Sequence, residues 1–220
     1  MFAPNDFFDL SNFEHRVIFE DPRVRNVWDV LKLIDDYLNA ILEPQILGQV
    51  DPRAYLIGEQ IYIAPGARVE AGAYITGPTY IGAGSVVRHG AYIRGKALVG
   101  QNCVVGHDTE VKNAIFLNDA KAGHFAYVGD SILGNKVNLG AGTKLANFKL
   151  RGTEIRLRID GKIIPTGLRK FGAILGDDVS LGCNTVCNPG ALVGPRSGAH
   201  ALSLISGYHS AESLIKNQRT

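Results

Sequence analysis

The chain has 220 residues, with 23 Lys and Arg against 21 Asp and Glu, a formal charge of +2, and only 20% charged residues. That balance excludes a polybasic nucleic-acid binder and an acidic disordered tail, and no apolar run approaches a membrane span. Glycine, at 26 residues against an average usage of about 7%, marks many tight corners, while three cysteines without metal-type spacing and the lack of an apolar leader point to a reducing cytoplasm.

Residues 1–50 stand apart, holding five of the nine phenylalanines and the only tryptophan. Asp21 as N-cap and Pro22 as first helical residue open one expected amphipathic helix. Val24, Val27, Trp28, Leu31, Ile34, Leu38, Ile41 and Leu42 recur at three and four, and the helix ends before Pro44. Its apolar stripe packs on its own protein or on a sister subunit, and carries no chemistry.

A repeat follows. Ile57, Ile63, Val69, Ile75, Ile81, Val87, Ile93, Val99, Val105, Val111 and Leu117 fall at intervals of six, eleven positions without a miss. Four residues after each comes mostly a small side chain (Ala67, Ala73, Thr79, Ser85, Ala91, Ala97, Cys103, Thr109), as a narrow solenoid interior requires. Cys103 is thus a core filler. The period resembles that of the left-handed parallel β-helix, an all-β solenoid in which three hexads make one triangular coil of about 18 residues; the left hand comes from the resemblance.

The hexads falter after Leu117, resume at Leu133, Leu139 and Leu145, and return at Leu175, Leu181, Cys187 and Val193. Two interruptions are expected, one around Lys121–Asp130 and one over Lys149–Phe171. In the second, Glu154–Pro165 reads as alternating strands about Asp160-Gly161, a hairpin projecting from the coil. The expected organisation is an N-terminal arm and helix over 1–50, the coil over 51–199 with the inserted hairpin at 149–171, and a tail over 200–220.

Positions one coil apart stack at the strand spacing of about 4.8 Å. Arg94 and Lys112, 18 apart, therefore stand on adjacent coils, where an anion between them offsets their repulsion unless the side chains splay into water. His89 and His107 are likewise 18 apart, with His124 17 further on.

The segment Lys121-Ala122-Gly123-His124-Phe125-Ala126-Tyr127-Val128-Gly129-Asp130, followed by Asn138-Leu139-Gly140-Ala141-Gly142-Thr143, resembles the acetyltransferase domain of the bifunctional uridyltransferase/acetyltransferase that makes UDP-N-acetylglucosamine. The resemblance runs from about residue 57 to 187. It implies that Arg94 and Lys112 bind the sugar phosphate, that Tyr127, Asn138 and Lys170 contact the sugar, and that the Ala141 backbone meets the acetyl-CoA thioester. Asn147 then lines the acetyl site, and Cys183 stands where the family has a serine near the cofactor. Phe148 replaces the family's tyrosine. Residues 1–50 contain no Gly-rich nucleotide loop, so no uridylyl transfer is expected.

The implied reaction is transfer of acetyl from acetyl-CoA to the amine of a phosphorylated amino sugar, glucosamine 1-phosphate. Imidazole is the side chain best poised to deprotonate an ammonium near neutral pH, which makes His124 the general base, and the Gly140–Gly142 amides would stabilise the oxyanion. A cytoplasmic homotrimer is implied, with neither nucleic acid nor membrane as partner. The alternatives are a non-catalytic sugar-phosphate-binding or scaffold module, and a zinc lyase like the β-helical carbonic anhydrases. Those enzymes carry a histidine pair four residues apart, which this chain lacks, so no metal is expected.

Overall fold

The computed structural model describes residues 2–216. Short parallel strands stack into three sheets of nine, nine and eight strands, each strand pairing with its counterpart in the next coil. This is the parallel β-solenoid the hexads imply, the left-handed β-helix of the resemblance. The first face runs from Gln45–Ile46 to Tyr208–His209, the second from Gln49–Val50 to Leu214–Ile215, and the third from Tyr55–Ile57 to Leu204–Ile205.

Both sequence columns line the interior. The hexad aliphatics from Ile63 to Val111 are buried there with Ala67, Ala73, Ala91, Ala97 and Cys103 between them. The Cys103 thiol donates to the Leu117 carbonyl at 2.9 Å, and burial pushes its pKa up to about 12.

The two ends of the eleven-residue series are displaced. Leu56, not Ile57, pairs with Ile75, leaving Ile57 42% exposed, and Phe116, not Leu117, pairs with Val99 and enters the interior. The second shift has a local cause. Ile93 pairs with Val111, 18 residues on, but Ala97 pairs with Ala114, only 17 on. Between those pairs the corner Gly95-Lys96 of one coil is matched by the single corner residue Asn113 of the next, all three in the left-handed region.

From there Phe116, Ala122 and Val128 each sit one position early, and Leu133, Leu139 and Leu145 two. Ala122 lies beside Val105 and Val128 beside Val111, so Lys121–Asp130 is regular coil (strands Lys121–His124 and Tyr127–Gly129) and not an interruption. Nor does the coil stop at 199. Strands Leu204–Ile205, Tyr208–His209 and Leu214–Ile215 continue it with Ile205 and Ile215 buried, and residues 217–220 of the expected tail lie outside the described residues. Leu192 pairs with Tyr208, 16 residues on, which is why a fixed period misses these turns.

The first face is apolar on its outer side too: Tyr80, Leu98, Ile115, Ile132, Ile174 and Leu192 point away from the interior, and the N-terminal arm covers them. The expected continuous helix is instead a 3₁₀ segment Val27–Lys32 followed by an α-helix Ile34–Ile41. Asp21 caps neither, because its carboxylate accepts the Arg23 backbone N–H and guanidinium, closing a local turn. Asn26 opens the 3₁₀ segment, its own N–H donating to Asp29 at 2.9 Å. The apolar spacing still does its work, since Val27, Trp28, Leu31, Ile34 and Leu38 are all buried.

The inserted hairpin pairs Arg156–Ile159 with Lys162–Pro165 about Asp160 (φ 48°) and Gly161 (φ 74°), the two left-handed residues a tight hairpin turn demands. It does not simply project. Ile155 and Leu157 are buried in the cluster that joins the arm to the first face, beside Phe171 and Trp28.

Candidate functional site

A hollow of about 330 Å³ opens at the edge where the third face turns into the first, lined by Arg94, Lys112, Tyr127, Asn147, Phe148 and Lys170. Arg94, Lys112 and Tyr127 come from three successive coils of the third face. Asn147 and Lys170 arrive from the two ends of the insertion, whose neck is closed by an antiparallel bridge between Phe148 and Lys170. Five residues named from the sequence are thereby brought together, two of them 23 positions apart.

The charges are arranged differently from a bare cation pair. Arg94 Nη1 donates to Glu110 Oε1 at 2.7 Å, an interaction that strengthens the guanidinium's hold on its proton. Lys112 Nζ lies 3.2 and 3.3 Å from the two oxygens of Asp130, whose side chain is 6% exposed. Each cation thus has its own carboxylate, and adjacency alone does not require an anion between them.

Asp130 also accepts the side-chain amides of Asn113, at 3.0 Å, and Asn147. Asn113 reaches the arm through the Leu31 carbonyl, and Asp130's carbonyl accepts the Gly172 N–H where the insertion rejoins the coil. This carboxylate ties coil, arm and insertion behind the pocket. Its residue lies in the quoted motif, but nothing in the spacing signals the role.

Tyr127 is half-buried, and burial first, then the charges of Glu110 and Asp130, raise its hydroxyl pKa. Gly129 is what admits it: a Cβ there would stand 2.6 Å from the Tyr127 hydroxyl and 2.7 Å from Asn147 Nδ2.

The remaining named residues lie elsewhere. His124 ends its second-face strand, exposed, at the edge where the second face turns into the third. The next coils place Ala141 and Cys183 on that edge: Gly142 donates to the His124 carbonyl at 3.1 Å, and Asn184 to that of Ala141 at 2.8 Å. Of the Gly140–Gly142 amides, Gly140 donates to Leu181 and Gly142 to His124, which removes both from oxyanion stabilisation and leaves that of Ala141. Asn138 is exposed on the second face between Lys121 and Ser180. His124 and the hollow therefore flank the third face from opposite edges.

His107 stacks on His89 with ring centroids 5.4 Å apart. His107 Nδ1 sits 3.0 Å from the His89 carbonyl and His89 Nδ1 2.9 Å from that of Ala71, and since a carbonyl only accepts, Nδ1 carries the proton in both. The described residues contain no group of three metal-ligating side chains placed to share an ion, so the zinc reading finds no ligand set among them. Larger hollows lie between arm and coil, about 500 Å³ beside Asp177, and over the first coils, about 760 Å³ beside His89. In the second, Arg53 and Arg68 are paired with Asp51 and Glu70.

Residues 75–197 match the family model described as the GMPPB C-terminal domain. The chain is 34% identical to a bifunctional sugar-1-phosphate nucleotidylyltransferase/acetyltransferase of Sulfurisphaera tokodaii, over 76% of this chain and 41% of that protein. It is 41% identical to a bifunctional protein GlmU of Methanococcus maripaludis, over 86% of this chain and 45% of that one. It thus spans less than half the length of these two relatives. A putative uncharacterized acetyltransferase, YaiX, of Escherichia coli is 32% identical over 80% of both chains. The chain therefore belongs to the family of the GMPPB C-terminal domain, among the hexapeptide-repeat acyltransferases that include the acetyltransferase domain of the bifunctional GlmU proteins.

Proposed function

We propose that this protein transfers an acetyl group from acetyl-CoA to the amine of a phosphorylated amino sugar, glucosamine 1-phosphate, as a cytoplasmic homotrimer. The observation that carries the reading is the convergence of Arg94, Lys112, Tyr127, Asn147 and Lys170 on one hollow, with His124, Ala141 and Cys183 stacked on the opposite edge of the same face. The sugar 1-phosphate in one relative's name supports the acceptor class. Arg94 and Lys170 face the phosphate, Lys112 supports it from its Asp130 clamp, and Tyr127 orients the ring, with Asn138 of a neighbouring copy reaching it across the interface.

His124, whose ring nitrogens have no hydrogen bond among the described residues, takes the proton from the attacking amine. The nitrogen bonds to the thioester carbon, the Ala141 N–H faces the oxyanion, and collapse expels the CoA thiolate. Because the two edges belong to one face, a neighbouring copy seated on that face would complete the site, which is the reason for the trimer.

The test is thiol release on mixing the protein with acetyl-CoA and a panel of amino sugars with and without phosphate. Release confined to phosphorylated acceptors is expected. Tight binding of sugar phosphate without release from any donor would overturn catalysis in favour of a binding module, the reading favoured by the separation of His124 from the hollow within one chain. A monomer by light scattering would remove the shared site.

A further inference from the structure

The two clamped cations are not equivalent. The carboxylate of Asp130 is held by Lys112, Asn113 and Asn147 and is almost wholly buried, so it stays in place whatever enters the hollow. Glu110 is different. Its side chain is 32% exposed, among the described residues its bond is to Arg94 alone, and it lies in register between Tyr92 and Tyr127 on the open third face, where it is free to swing into water. Among the described residues no carboxylate lies within ion-pair distance of Lys170.

We infer that Glu110 is an affinity-setting residue of the acceptor pocket: it holds Arg94 while the pocket is empty and gives way when a phosphate takes the guanidinium. The inference rests on the acceptor reading above and deepens it. A guanidinium offers its donors in a fixed fork, and a carboxylate and a phosphate compete for the same face of it. An exposed pair of this kind is weak, so displacement is easy. Once displaced, Glu110 remains close enough to repel a phosphate dianion. Its electrostatic reach into the pocket is seen at Tyr127, where its charge adds to burial in raising the hydroxyl. Displacement and repulsion act in the same direction: Glu110 weakens phosphate binding and hastens departure of a phosphorylated product.

The test is calorimetric titration, at one fixed salt concentration, of inorganic phosphate, glucosamine 1-phosphate and glucosamine into the wild-type chain, Glu110→Gln, Arg94→Ala and the double variant. Glutamine keeps the shape and removes the charge. Glu110→Gln is expected to bind both phosphate ligands about 3–10-fold more tightly and glucosamine unchanged, and the gain is expected to vanish in the Arg94→Ala background. Wild-type binding lost in Arg94→Ala but equal or weaker in Glu110→Gln would overturn the inference while leaving the acceptor reading intact, because Glu110 would then be a support for Arg94. Phosphate binding by neither wild type nor Glu110→Gln would overturn the acceptor reading and this inference with it.

Discussion

Replacing Lys112 by alanine affects more than ligand binding, and the size of the second effect follows from its partner. Asp130 is 6% exposed in its side chain and, among the described residues, keeps only the Asn113 and Asn147 amides once the ammonium is gone. Breaking one side of a buried ion pair costs about 3–5 kcal/mol, and the two remaining donors reduce that to about 2–4 kcal/mol. Arg94→Ala breaks a pair whose side chains are 43% and 32% exposed, worth at most about 1 kcal/mol. At roughly 2–4 °C per kcal/mol for a chain of this length, Lys112→Ala should lower Tm by about 5–15 °C and Arg94→Ala by under about 4 °C. The assay is thermal and urea unfolding at one protein concentration, so that assembly does not confound the comparison. Adding Asp130→Asn to Lys112→Ala removes the stranded charge and should recover at least about half the loss. Equal destabilisation by the two single variants, or no recovery in the double, would refute the argument that Asp130 is a buried charge needing Lys112.

His124→Ala should lower turnover about 10²-fold or more with little change in acceptor KM or in Tm, because the ring is exposed; a wild-type rate would exclude it as the base. Trimming Arg151–Leu168 to a short glycine linker removes Ile155 and Leu157, 0% and 3% exposed, at about 1.5–3 kcal/mol each; unchanged urea stability would show that the hairpin contributes nothing to the covering layer. His15 is 5% exposed, its Nδ1 3.0 Å from the Tyr37 hydroxyl, its ring against Tyr80 and its neighbour Glu14 nearby, and burial lowers its pKa. The folded chain therefore favours the neutral ring. Its contribution to stability is complete above the ordinary histidine value of about 6.5 and is lost as pH falls below it. Wild type should lose more stability between pH 7.5 and 5.5 than His15→Phe, read from Trp28 fluorescence, and identical losses would count against it.

The coil was legible because a narrow prism admits only one residue size at each interior position, so Ile63 to Val111 print the period directly into the chain. Legibility failed wherever a corner changed length. Asn113 matched against Gly95-Lys96 moves the phase by one residue and makes Lys121–Asp130 look like an insertion. The arm's burial was readable from its three-and-four spacing, but its break at Leu33 was not, since Asp21, which looks like an N-cap, satisfies Arg23 instead.

For the site, residues 18 apart declare their stacking, and so Arg94 and Lys112 were placed on adjacent coils by counting alone. Their carboxylate partners sit off register: Asp130, 18 residues from Lys112 in a coil of 17, lies one place past its register mate Gly129, and Glu110, 16 from Arg94, is reached by a side chain leaning along the face. Asn147 and Lys170 meet only because the insertion closes on itself at the Phe148–Lys170 bridge. By itself the sequence determined which residues face in from Ile63 to Val111 and the order in which those coils stack, both being local consequences of side-chain size and backbone period. Which cation is locked and which is free to exchange its partner was decided only by tertiary structure, because burial of a carboxylate depends on the arm, the coil and the insertion converging from distant parts of the chain.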